Sequence, residues 1–220
     1  MMAGRRGKLD DRSARHDDAY RRAKAQGFVA RAVFKLQEID QKYRLLAPGR
    51  RVLDLGCWPG SWMQYAAERV GASGLVVGYD LRPCELALPS WVHPRLGDVN
   101  EIDPAALVAE FGHFDVVLSD MAPHTTGDRL SDQYHSEQLC GRALTIAKGV
   151  LRRGGHFTAK VFQGGGFPGL LTEMRQSFSE TRAVHAEATR AGSREQYLVG
   201  RGLRSGGSTV RTPPVEIIEE

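Results

Sequence analysis

The sequence has no apolar run long enough to cross a bilayer, and no apolar core follows its basic N-terminal residues. Neither a membrane span nor a secretory signal is therefore expected, and a cytoplasmic protein is. Cysteine is scarce: Cys57, Cys84 and Cys140 are the only three, and no two form a CxxC pair. A zinc site and a disulfide framework have no basis in that spacing, no metal is expected, and free thiols suit a reducing cytosol. GxGxxG is missing from the glycine turn after the first strand, residues 54–60, which weakens a dinucleotide reading there. Internal repeats, an aromatic RNP strand and a KH loop are missing too, so no dedicated RNA-reading module is visible.

What is present fits one α/β domain of ordinary composition, with 220 residues, 41% of them hydrophobic and 25% charged. A net charge of +4 conceals its distribution. Residues 1–35 hold ten Lys/Arg against four Asp/Glu, residues 36–139 eight against fifteen, and residues 140–204 eleven against four. An acidic middle between two basic stretches points to a polyanionic partner. Solvated basic surface is the competing explanation.

Residues 1–14 are polar and basic and are expected to be mobile, as is the Gly/Ser- and Pro-containing tail 205–220. Residues 1–30 form a basic extension with a helix over 15–26, and residues 31–204 a single domain. A second helix is marked by Val33, Leu36, Ile39 and Tyr43. Strands are expected at 51–55, 75–80, 91–96, 114–119, 156–162, 181–187 and 195–202. Helices at 61–70, 104–111, 132–151 and from 167 to about 178 separate the first six, except that none lies between the strands at 75–80 and 91–96. Arg152-Arg153 reads as the cationic last turn of the long helix, with Gly154 beyond it. This alternation predicts a mostly parallel sheet covered on both faces.

In such a sheet, ligands bind beyond the carboxyl ends of the strands. The first strand closes on Asp54-Leu-Gly-Cys-Trp-Pro-Gly60, a tight turn opening into a helix. The second closes on Asp80, whose carboxylate suits the two hydroxyls of a ribose. Asp98 follows a short strand, placed for an adenine amino group. Together these describe a nucleoside cofactor bearing an amino acid rather than a pyrophosphate, namely S-adenosylmethionine.

The fourth strand ends in Ser119-Asp120-Met-Ala-Pro123, with no aromatic on which a flipped base could stack. Carbon methylation would need a cysteine nucleophile, and Cys84 follows the wrong strand for that task. A hydroxyl acceptor remains. Lys160 sits in an otherwise apolar strand, where burial disfavours the cation and a neutral amine could serve as a base. Asp120 could pair with it, Glu195 could complete a charged cluster, and Lys35 could reach in from the N-terminal helix. Paired carboxylates favour the charged amine and burial the neutral one, a balance that these residues leave open.

The segments Arg31–Ile39, Asp54–Trp62, Ser119–Pro123, Ala159–Gly164 and Ser193–Tyr197 resemble the FtsJ/RrmJ-type ribosomal RNA 2′-O-methyltransferases, in unbroken order over about residues 12–203. The resemblance implies a Rossmann-like class I methyltransferase fold with a seven-stranded sheet. It implies a tetrad of Lys35, Asp120, Lys160 and Glu195, and cofactor contacts at Gly60, Trp62, Asp80, Asp98 and Asp120. The implied substrate is a uridine 2′-hydroxyl in the A loop of 23S rRNA, in the large (50S) subunit, and the enzyme is expected to act as a monomer without a DNA partner. Methylation of tRNA and a non-catalytic assembly role are the alternatives. Trp58, Ser61 and His124 depart from the family pattern beside the cofactor and acceptor strand ends.

Overall fold

A seven-stranded sheet runs in the order β3-β2-β1-β4-β5-β7-β6 in the computed structural model, which describes residues 18–189 and 194–204. The expected mobile segments 1–14 and 205–220 lie outside the described residues, as does Ser193. Residues 18–25 are helical (α1), and Gly27 with φ +83° ends the turn that follows. Then come α2 (Val33–Tyr43), β1 (Arg51–Leu55), α3 (Ser61–Val70), β2 (Leu75–Asp80) and β3 (Val92–Leu96). The second half contains α4 (Pro104–Phe111), β4 (Phe114–Ser119), α5 (Arg129–Val150), β5 (Leu151–Phe162), α6 (Phe167–Ser177), β6 (Phe178–Val184) and β7 (Glu195–Leu203). Strands β1 to β5 pair in parallel, and β7 is antiparallel to both β5 and β6.

The sheet separates two cores. Val52, Val76, Trp62, Met63, Leu36 and Ile39 pack on the α2–α3 side. Leu53, Val77, Phe114, Val117, Leu144 and Phe157 pack on the α4–α6 side. Side-chain alternation explains the division, since Val52 and Leu53 point to opposite faces of one strand. β4 is buried throughout, as a central strand covered twice must be. The order reverses between β1 and β4, so their carboxyl ends open a crevice.

Several expected boundaries move. The long helix starts three residues earlier, because the Asp128 side chain caps it by accepting from Leu130 N and Ser131 N. It ends at Val150, and β5 begins at once. Arg152 therefore belongs to a strand and pairs with Asp115 of β4, while Lys148 is the last-turn cation. An irregular register between Phe114 and Val116, with Gly154 at φ +80°, admits the extra residues before His156. Finally, β6 starts at Phe178 rather than Thr181, since its antiparallel register pairs Phe178 with Leu203. Phe178 is buried and stacks on Phe157 with centroids 6.1 Å apart, which holds the early start.

Helix α2 is tied down by Asp40, which is buried and accepts from Leu46 N (2.7 Å), Tyr65 Oη (3.0 Å) and Arg69 Nε (3.2 Å). Trp62 Nε1 donates to Ala32 O at 2.9 Å, joining α3 to the start of α2. These bonds fix the helix that carries Lys35 against the sheet.

Candidate active site

The crevice is built around the β1–α3 turn. Gly56 and Gly60 have φ of +78° and +114°, which side-chain-bearing residues rarely adopt. A methyl group on Gly56 would meet Met121 Cγ at 2.5 Å, and one on Gly60 would meet Leu86 Cδ1 at 2.4 Å. The turn is therefore closely cradled. Gly60 supplies no side-chain cap to α3, so the N–H groups of its first turn are free of intrahelical partners. Those donors, with the positive end of the helix dipole, suit a ligand carboxylate.

Asp54 of β1 is fully buried, and neither carboxylate oxygen has a hydrogen-bond partner. Burial, then the charges of Asp120 and Asp80, hold its carboxyl well above the usual carboxylate range. An orphaned buried acid among other acids suits a ligand cation.

Asp80 is held at the end of β2. Its Oδ2 accepts from Trp58 N and its Oδ1 from Arg82 N, both at 2.9 Å. Each oxygen retains a lone pair for a sugar hydroxyl. The Asp98 loop is fixed by Asn100 N, which donates to Asp98 Oδ1 at 2.8 Å. Arg142 of α5 holds the same loop by donating to the carbonyls of Val99, Asn100 and Ile102 at 2.8–3.0 Å. Nothing local to residue 142 marks that role; only the packing of α5 reveals it.

The free helix turn, the orphaned Asp54 and the carboxylates of Asp80 and Asp98 match the ammonium, carboxylate and nucleoside of S-adenosylmethionine. The residues fit that cofactor. Of the residues named for it, Trp62 has its side chain occupied by Ala32 and by Tyr197, whose ring lies 5.9 Å away. Its free backbone N–H is what it leaves for a ligand. Two of the departures from the family pattern, Trp58 and Ser61, border this turn. Trp58 is 42% exposed with the Arg82 guanidinium 3.7 Å from its ring, and Ser61 is buried in the first turn of α3.

Lys35, Asp120, Lys160 and Glu195 come together at the same sheet end. Lys160 Nζ lies 3.1 Å from Asp120 Oδ1 and donates to Asp120 O at 2.5 Å. Lys35 Nζ lies 2.5 Å from Glu195 Oε1. Lys160 is 7% exposed, so its cation sits in a low-dielectric place and its pairing matters.

Tyr197 joins the two pairs. Its hydroxyl donates to Asp120 Oδ1 at 2.6 Å, and the Lys35 ammonium lies 5.8 Å from its ring centroid. It sits opposite Lys160 in the β5–β7 register and is fully buried. Burial, then Asp120 and Glu195, push its phenol well above its ordinary range, so it stays a neutral donor. Alternation along β7 placed Tyr197 on the face of Glu195, a signal present in the sequence whose role was not drawn from it. Cys84 donates from Sγ to Pro59 O at 3.7 Å, beside the cofactor turn and apart from the tetrad.

The sequence profile of the FtsJ-like methyltransferases matches residues 28–203. A protein of Syntrophobacter fumaroxidans named ribosomal RNA large subunit methyltransferase E is 49% identical over 189 residues, covering 86% of this chain and 96% of its own. The protein of the same name from Sorangium cellulosum is 45% identical over 195 residues, covering 89% and 92%. A solved structure described as a ribosomal RNA methyltransferase from Plasmodium falciparum superposes with a TM-score of 0.68 at 26% identity, covering 79% of this chain and 97% of that one. With a match of that extent over a sheet and crevice of this kind, the chain belongs to the FtsJ-like methyltransferase family.

Proposed function

We propose that the protein methylates the ribose 2′-hydroxyl of a uridine in the A loop of 23S rRNA, presented by the large (50S) ribosomal subunit, using S-adenosylmethionine. The observation that carries this reading is buried Lys160 paired with Asp120 and joined through Tyr197 to the Lys35–Glu195 pair, beside the cradled β1–α3 turn. Relatives named for the ribosomal RNA of the large subunit support the substrate class.

Gly60, the backbone of Trp62, Asp80, Asp98 and Asp120 hold the cofactor in this reading, with Asp54 on its ammonium. When bound, the cofactor supplies a methyl group on a sulfonium, open to in-line displacement. Three positions on the Lys160 nitrogen are open to partners, and Asp120 takes two of them, which leaves one for the hydroxyl. Lys160 accepts the hydroxyl proton at that position as the new O–C bond forms. Asp120 and Tyr197 orient that amine, and Glu195 orients Lys35, which holds the RNA. Positioning of this kind supplies roughly 7–11 kcal/mol in favourable cases. The basic residues 1–35 contact phosphates.

The test is transfer of labelled methyl from the cofactor to large subunits lacking the modification, followed by mapping of the modified nucleotide. A 2′-O-methyl uridine in the A loop is expected. Label confined to tRNA, or found on a base, would overturn the reading.

A further inference from the structure

Beyond the tetrad, a cleft of about 510 Å³ lies between the start of α5, the end of β5 and the start of β7. It is lined by Arg129, Gln133, Gln163, His185, Arg194 and Gln196, with no carboxylate among them. That volume lies within the roughly 300–1,000 Å³ usual for small-ligand sites. In register, Lys160 faces Tyr197, Val161 faces Gln196, and Phe162 faces Glu195. Alternation puts Glu195, Tyr197 and Lys160 on one side of the sheet and Gln196 on the other. The cleft thus shares the catalytic end of the sheet but opens toward α5. Gln163 lies three residues beyond Lys160, about 10 Å along an extended chain.

The cleft is scaffolded from within. Buried Gln133 donates from Nε2 to Gln163 O at 2.7 Å, and Gln163 N donates to Arg194 O at 3.3 Å. His185 Nδ1 donates to Glu195 O at 3.0 Å, tying the lining to a tetrad residue. Gln196 Nε2 donates to Gln163 Oε1 at 2.9 Å. Among the described bonds, this leaves Gln163 Nε2 as a donor and Gln196 Oε1 as an acceptor. Exchanging both amide assignments reverses the bond and still leaves one donor and one acceptor. Two guanidiniums beside such a pair match a phosphate and the Watson–Crick edge of an unstacked base.

We propose that this cleft seats a nucleotide flanking the acceptor, its phosphate on Arg129 and Arg194 and its base edge on the Gln163–Gln196 amides. The RNA strand then crosses the end of β5 and β7, from the Lys35 side to the α5 side. The inference rests on RNA being the substrate.

Binding of unmodified 23S rRNA to the full chain, measured across a salt series, tests it. Arg129→Ala and Arg194→Ala should each lower the slope of log K against log salt by about 0.7, as for one lost single-strand phosphate contact. Gln163→Ala with Gln196→Ala should weaken binding about tenfold at unchanged slope, as for a lost base-edge contact. Cofactor affinity by calorimetry and the melting temperature should stay at wild-type values in all of them. Wild-type slopes in both arginine variants would overturn the phosphate seat, and undiminished affinity in the glutamine pair would overturn the base contact. Reduced slopes without methyl transfer to the A loop by the wild-type protein would instead uphold the cleft and sink the proposed reaction.

Discussion

Tyr197→Phe removes one oxygen from the buried centre of the tetrad and leaves its ring in place. The ring contacts to Trp62 at 5.9 Å and to the Lys35 ammonium at 5.8 Å survive the change. What disappears is the 2.6 Å bond to Asp120 Oδ1, whose other donor to that oxygen is Lys160 at 3.1 Å. A hydrogen bond to a charged group contributes about 1.5–3 kcal/mol. Asp120 retains some solvent exposure, so water can offset part of the loss, and about 1.5 kcal/mol is the expected effect. In a domain of this size that lowers the melting temperature by about 3–6 °C. If the same bond sets the Asp120–Lys160 geometry, kcat should fall about tenfold. The Km for RNA should change less than threefold, since the phosphate contacts are untouched. Thermal unfolding and steady-state transfer of labelled methyl to unmodified large subunits read both quantities. A lowered melting temperature with wild-type kcat would refute a positioning role and leave Tyr197 as a core residue only.

Lys160→Ala should abolish methyl transfer while calorimetric affinity for the cofactor stays within a few-fold; near-normal turnover would remove Lys160 from the chemistry. Asp54→Asn should weaken cofactor binding at least tenfold by titration calorimetry, because the ammonium loses its anionic partner. Because the folded protein holds the Asp54 carboxyl above its unfolded value, that acid costs stability once pH exceeds the unfolded value, so the cofactor-free variant should melt no lower than wild type at pH 7. His156 is pushed down to about 4 by burial, then by Arg50, Arg201 and Arg152, and its Nδ1 accepts from Gly202 N at 3.3 Å. Its neutral form is favoured in the fold, so stability present above pH 6.5 should fall by about 2–3 kcal/mol as pH drops to 4, and His156→Gln should flatten that part of the pH–stability curve. Asp40→Ala strands the buried Leu46 N–H and Tyr65 hydroxyl, releases the exposed Arg69, and should destabilise the fold by about 3 kcal/mol in denaturant unfolding.

Local chemistry made much of the fold legible before any coordinates. The helices at 61–70 and 104–111 and the strand at 114–119 begin and end where glycine, proline and apolar runs place them. Their boundaries depend on neighbours in the chain, which a sequence displays directly. The early start of α5 was missed because a capping aspartate resembles any loop aspartate until its carboxylate meets Leu130 N and Ser131 N. Arg152 was misread because a cation after a helix and a cation in a following strand look alike; its partner Asp115 is 37 residues away. The start of β6 depends on its register with β7 and on the stacking of Phe178 on Phe157.

The site divides the same way. By itself the sequence determined the order of strand-end motifs, the glycines of the cofactor turn and the presence of Lys35, Asp120, Lys160 and Glu195. Those are properties of short segments, and residue type is enough to recognise them. Only the tertiary structure decided that the lysines divide into two pairs, Lys160 with Asp120 and Lys35 with Glu195, and that Tyr197 joins them. It alone left Asp54 without a partner and set Arg142 under the Asp98 loop. Pairing, burial and support are distances between residues far apart in the chain, and folding is what sets those distances.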